Sequence, residues 1–187
     1  MSSTKTEAWI KAGYDLFSNE GFESLKVERL ARSLDLNKSG FYHYFGSMNV
    51  YLKCLLEYHV SLAKEVTEEI ASCKNLDPDL LRIMIRRKSF FLVESQLLVK
   101  CKPTQFGQDI SNAAKIVTIE LLPLWRKFIQ LPQDSTVAIA YLNIILHFFY
   151  ARINSENMNY EFLHSLTFET QEVLNKVMDE KYVVVKN

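Results

Sequence analysis

Residues 30–52 read LARSLDLNKSGFYHYFGSMNVYL, and the order of residue types in this stretch decides the fold. Leu30, Ala31 and Leu34 recur at helical spacing and stop at Asp35, after which a second short helix opens at Asn37 and carries Lys38, Ser39, Tyr42 and His43. At about 100° per residue those four side chains span an arc of about 140°, with Phe41 and Tyr44 on the opposite side and available to pack inward. This is the layout of a helix-turn-helix, whose second helix enters a DNA major groove. Cationic, hydroxyl and imidazole groups on one face can donate hydrogen bonds to phosphates and base edges.

Extended on both sides, the stretch resembles the DNA-binding domain of the TetR family of bacterial transcriptional regulators. The resemblance covers residues 5–53: a first helix ending LFSNEGF (residues 16–22), then VERLARSLDL (27–36), then NKSGFYHYFGSMNVYL (37–52). It implies that Phe41 and Phe45 pack in the core and that Tyr42 bonds a phosphate. It also implies a DNA-binding set of Lys26, Val27, Asn37, Lys38, Ser39, Gly40, Tyr42, His43 and Met48. Three positions depart from the family pattern. Asp35 stands where a turn glycine is usual, and it enters the left-handed conformation less readily than glycine does. Lys26 replaces a capping Ser or Thr, and Met48 replaces a phosphate-contacting lysine, so Met48 predicts weaker non-specific binding.

Composition sets bounds without deciding function. A chain of 187 residues can bury a sizeable core as one domain, or as a small module fused to a larger one. Its formal net charge is zero, and residues 1–54 hold seven Lys/Arg against six Asp/Glu, an excess of +1. So weak an excess does not by itself indicate nucleic-acid binding. What counts is where the cations sit, with Lys26, Lys38, Arg29 and Lys53 near the expected groove. Cys54, Cys73 and Cys101 lie far apart without metal-ligand spacing and cannot all pair, which fits reduced thiols in a cytoplasmic protein. Residues 1–7 lack the basic-then-apolar order of a signal peptide.

The remainder reads as helix after helix. Thr4 with Glu7 makes a capping box, and Gly21 ends the helix they open. Asn37 is expected to cap the recognition helix, and Ser47 a long helix to about residue 72. Asp77 and Pro78 suggest a cap and first-turn pair for a helix to about residue 100. Pro103 and Gly107 suggest a break and a short helix at 102–109. Periodicity resumes over 111–131, where Pro123 should kink or split the segment. Asp134 or Ser135 starts a helix ending near 154, and Asn159 caps the last, to about 181. No alternating strand pattern, repeat or low-complexity linker competes.

From residue 135 to 151 there is no Asp, Glu, Lys or Arg, and the apolar residues surround the helix, so it must be buried on most sides. Its length approaches that of a membrane span, but Tyr141, Asn143, His147 and Tyr150 make it a poor one. The last helix repeats Leu163, Leu166, Thr170, Val173, Leu174 and Val177 at a spacing that suits helix packing. In the TetR family the final two helices form a four-helix bundle with those of a second subunit. The resemblance therefore implies a homodimer through residues 135–154 and 160–181. A monomer that uses both helices internally is the alternative. The outward side of the apolar helix is taken to include Leu146 and Phe149.

The family also holds a ligand inside the larger domain. Candidate lining residues are His59, Met84, Phe91, Phe106, Trp125, Phe128 and His147, each of which also reads as ordinary core or as a structural histidine. Phe90 is a further bulky residue of the same helices. Arg86, Arg87 and Lys88 form a basic cluster that meets either an anionic ligand or solvent. Many aromatics and few charges favour a small apolar or aromatic effector. No G-x-S-x-G, H-E-x-x-H, C-x-x-C or phosphate-binding glycine loop points to an enzyme, and no cofactor is implied.

The expectation is therefore an all-α protein: a helix-turn-helix domain over residues 1–50, joined by a long helix to a ligand-binding and dimerisation domain over 51–187. Its function would be that of a cytoplasmic, ligand-responsive repressor of a double-stranded DNA operator. The alternative is a helical ligand-binding or scaffolding protein that has lost operator binding.

Overall fold

The computed structural model describes residues 2–100, 107–130 and 136–184, and every regular element among the described residues is a helix. The first, α1 (Ser2–Glu20), begins ahead of the expected Thr4 cap, so that Thr4 and Glu7 lie inside its first turns. Trp9, Ile10, Tyr14 and Phe17 are buried and fall on one face of the helix. Gly21 ends the helix at φ 86°, where its N–H donates to the Phe17 carbonyl at 2.9 Å.

A tight turn (Phe22–Ser24) leads to α2 (Val27–Ser33) and α3 (Lys38–Phe45). Lys26 precedes α2 in extended conformation without a side-chain cap, as its substitution for Ser or Thr implies. Asp35 takes φ 54° in the turn between α2 and α3, the left-handed conformation a glycine would adopt more easily. Asn37 occupies the capping position of α3, but its side chain makes no capping bond, contrary to expectation. Ser47 does cap α4 (Met48–Ala71), accepting from the Val50 N–H at 3.4 Å. Phe41 is fully buried among Trp9, Phe45 and Tyr51, at ring separations of 4.9 to 5.6 Å within this group. Gly13 allows the closest approach in this core: a Cβ there would lie 1.6 Å from the Tyr51 hydroxyl, which donates to the Trp9 carbonyl.

One face of α4 changes core along its length. Tyr51 and Leu55 close the N-terminal core, whereas Ala63, Val66 and Ile70 belong to a second core beneath α7 (Gly107–Phe128). The helix expected over 78–100 is instead interrupted. A short turn at Leu76–Leu80 contains the non-helical Asp77, then α5 (Leu81–Arg86) breaks at Arg87 before α6 (Lys88–Ser95) and a wider turn at Gln96–Lys100. Asp77 is not a cap. Its carboxylate accepts from Tyr160 and bonds His164, while Asp79 receives the N–H groups of Lys74 and Asn75, each at 3.0 Å.

Pro123 does not split α7. It sits on an exposed position, so the Ile119 carbonyl it cannot bond lies on the solvent side, where Ile119 is 69% exposed. The last two helices are α8 (Thr136–Arg152) and α9 (Tyr160–Val184), the latter capped by Asn159, which accepts from the Phe162 N–H at 3.0 Å. Of the break and short helix expected over 102–109, residues 102–106 lie outside the described residues while 107–109 form the first turn of α7 rather than a separate helix, and the Asp134 or Ser135 start also lies outside. Among the described residues no helix is long and apolar enough to cross a membrane.

Candidate DNA-facing surface and ligand cavity

The polar arc of the recognition helix is present as a surface. Asn37, Lys38, Ser39 and His43 are exposed and Tyr42 is 53% exposed, with Lys26 exposed at the start of α2. Gly40 is half-buried against Trp9. Two members of the expected DNA-binding set face elsewhere. The Val27 side chain is buried in the N-terminal core, and Met48 is half-buried against the same core.

Carboxylates already occupy two of the cations expected near the groove. Lys38 Nζ lies 2.6 Å from Glu28 Oε1, and Arg29 grips both oxygens of Glu20 at 2.6 and 2.7 Å. The Lys38 hydrogen bond holds the Glu28 carboxyl below its usual range, and the Arg29 bond does the same for Glu20. Each pair joins residues nine or ten apart on separate elements, so helical spacing gives no signal of it.

The larger domain encloses a narrow apolar cavity of about 80 Å³. Four of the expected lining residues meet there: Met84, Phe91, Trp125 and Phe128, joined by Leu142, Leu146, Phe149 and Tyr150. The polar atoms of its threonines and tryptophan are committed within the protein. The Thr118, Thr167 and Thr170 hydroxyls donate to carbonyls four residues back, and the Trp125 indole N–H donates to Ala138 at 3.1 Å. Burial and the Glu94 charge keep the Tyr150 hydroxyl well above the ordinary phenol value.

His59 and His147 are not part of this cavity. His147 is exposed on α8 and bonds the Asn143 carbonyl of its own helix. His59 is buried between the two cores, with Tyr14 Oη 2.7 Å from its Nδ1 and Glu94 Oε1 2.9 Å from its Nε2. Burial, then the charges of Glu94 and Tyr58, push the Tyr14 phenol well up, so it stays protonated and serves His59 as a donor. Glu94 is 0% exposed, and its second oxygen, Oε2, has no hydrogen-bond partner among the described residues. Phe106 lies outside the described residues.

The basic cluster lies at the surface, where Arg86 is 60% exposed, and its cations are held by neighbouring carboxylates and a carbonyl. Arg86 and Arg87 both hold Glu69, at 2.6 Å each, Arg87 also reaches Glu65 at 2.9 Å, and Lys88 donates to the Ser155 carbonyl. The Glu65 and Glu69 contacts fasten α4 to the break between α5 and α6, and the Lys88 contact ties the start of α6 to the segment after α8.

Residues 10–50 match the family model for bacterial regulatory proteins, tetR family. No curated protein sequence matches the chain. In fold it is similar to a transcriptional regulator (TerR/AcrR family) from Aquifex aeolicus, with a TM-score of 0.57 at 18% identity over 92% of this chain and 98% of that one. It is also similar to the TetR family transcriptional regulator PfmR from Thermus thermophilus, with a TM-score of 0.56 at 16% identity over 89% and 94%. Residues 10–50 thus carry a helix-turn-helix segment that matches the tetR family of bacterial regulatory proteins, and the chain as a whole shares the fold of those two regulators.

Proposed function

We infer that the protein is a homodimeric, ligand-responsive repressor, released from a palindromic DNA operator by a small apolar or aromatic effector in the cytoplasm. Residues 1–50 serve as the DNA-binding domain and 51–187 as the domain for ligand binding and dimerisation. The observation that carries this reading is the exposed arc of Lys38, Ser39, Tyr42 and His43 on a helix whose opposite face is locked into the core by Phe41.

Dimerisation is supported by apolar residues left uncovered on the last two helices. Ile144 is 64% exposed and Phe148 50% on α8, and Phe168 is 56% and Val173 60% on α9. The effector class is supported by a cavity whose Thr hydroxyls and indole N–H are already bonded, which leaves apolar contact as the means of recognition. A contiguous series of contacts joins the cavity to the recognition helix. Phe91 lines the cavity and meets Phe90 at 5.3 Å, Phe90 stacks on His59 at 5.0 Å, His59 bonds Tyr14, and α1 packs on Phe41 through Trp9. An effector that favours one arrangement of this series changes the spacing of the two recognition helices, which must lie about 34 to 36 Å apart to meet successive turns of DNA.

A second reading, a ligand-binding helical protein without operator binding, is favoured by the Lys38 and Arg29 ion pairs and by the packing of Met48. The two readings separate when the full chain is offered a random duplex library and the retained sequences are titrated between about 50 and 200 mM salt. The repressor reading predicts a two-fold symmetric site whose affinity falls steeply with salt. Retention of no duplex decides for the second reading.

A further inference from the structure

Lys38 is the first residue of α3 and Glu28 the second of α2, and their side chains meet at 2.6 Å across the turn while remaining 55% and 57% exposed. An exposed ion pair of this kind adds little to stability. Its position gives it another use, because the first residues of a recognition helix are those that reach base edges.

Resting on the DNA-binding reading above, we propose that Lys38 and Glu28 act as one unit that reads a G·C base pair in each half-site. In the major groove a G·C pair presents the guanine N7 and O6 acceptors in a row with the cytosine N4 donor. O6 and N4 are hydrogen-bonded to each other, so they lie roughly 2.9 Å apart. The pair offers the complementary polarity at nearly the same spacing: an ammonium with several donors beside a carboxylate that only accepts. Lys38 takes N7 and O6, and Glu28 takes the N4 amino group. An A·T pair in either direction places its single donor between two acceptors, which leaves the ammonium one acceptor instead of two and sets the Glu28 carboxylate against an acceptor.

A phosphate is the poorer partner for this unit. The pair carries no net charge, and bringing Lys38 to the backbone brings the Glu28 carboxylate with it, like charge against like. Lys26 acts on the same carboxylate, adding to the field that keeps Glu28 ionised and able to accept. The duplex therefore does not need to break the ion pair in order to engage it.

The test starts from duplexes that the full-length protein retains from a random library. The wild type should select one G·C pair per half-site, and replacing that pair by A·T should weaken binding roughly tenfold. Glu28→Ala should bring that discrimination below about twofold without changing the salt slope, and Lys38→Met should do the same, since a base contact sets specificity and a phosphate contact sets the slope. The helical circular dichroism of both variants should match the wild type, because both side chains are exposed. The proposal is overturned if Glu28→Ala tightens binding to every duplex alike with a steeper slope, which would make Glu28 a mask over a phosphate contact. It is equally overturned if discrimination persists at every position. Absence of salt-dependent binding by the wild type would instead remove the DNA-binding reading, and this inference with it.

Discussion

His59 Nε2 lies 2.9 Å from Glu94 Oε1, with neither side chain more than 2% exposed. This bond joins α4, which runs to the recognition helix, to α6, whose Phe91 borders the cavity. Glu94 receives no other hydrogen bond from the described residues. His59→Ala therefore strands a buried carboxyl and should lower the free energy of unfolding by about 3 kcal/mol. Urea denaturation measures this, and a loss under about 1 kcal/mol would show that Glu94 finds water or another partner.

The two ends of the DNA-facing surface respond differently to substitution. Tyr42→Phe should remove a phosphate bond and weaken binding to all duplexes by about 1 kcal/mol. Met48→Lys should tighten binding and steepen the salt dependence by roughly one phosphate contact, its stem retaining the half-buried packing while the ammonium reaches out. Fluorescence anisotropy across a salt series reads both. An unchanged slope for Met48→Lys would show that this position does not face the backbone.

The proposed dimer rests on the uncovered face of α8. Ile144→Glu or Phe148→Glu should leave each chain folded and shift the dimer to monomer in sedimentation, because both residues are at least half exposed on a single chain. Phe149→Glu should instead unfold the chain, since Phe149 is 4% exposed within the core. A wild-type protein that sediments as a monomer at micromolar concentration would contradict the dimer directly.

That contrast shows what the sequence could convey. The recognition helix was legible because its polar arc and aromatic back differ in chemistry, and Phe41 is indeed buried where Tyr42 is exposed. The α8 helix is apolar on all sides, so nothing in its pattern separates inside from outside. Leu146 and Phe149, expected outward, line the cavity, and Ile144 and Phe148 face out instead. Met84, Phe91, Trp125 and Phe128 were identifiable as bulky residues of the middle helices, and they converge on one cavity. The pairing of His59 with Tyr14 and Glu94 spans 45 and 35 residues of sequence, and no local spacing encodes it. The breaks at Asp77 and Arg87 are hidden for a related reason. Tertiary partners on α9 and α4 take those side chains, whereas local propensity favours one continuous helix.

The Glu69 ion pairs give stability a defined acid limit. Partial burial acts to raise the Glu69 pKa, but hydrogen bonds from Arg87 and Arg86 outweigh it and hold the carboxyl below its usual value. A depressed folded pKa stabilises above the unfolded value, near 4.5, and that stability is lost as pH falls through the folded value. Glu69→Gln should therefore cost about 1 kcal/mol at about pH 7, and the difference should shrink as pH falls through the lowered folded value. Thermal melts of both proteins across that range check this, and a constant difference between them would contradict it.

Control of one DNA-reading surface by one cavity is the central claim, and it is open to direct measurement. Compounds that raise the melting temperature of the wild type but not of a variant with the cavity filled, such as Leu142→Trp, identify an effector. Its affinity is then titrated with and without saturating operator duplex, alongside operator affinity with and without effector. Linkage predicts that operator weakens the effector by the same factor as effector weakens the operator. His59→Gln should change that factor more than it changes operator affinity in the absence of effector. Equal effector affinities in the presence and absence of operator would contradict the claim, leaving a DNA-binding protein with an occupied but uncoupled cavity.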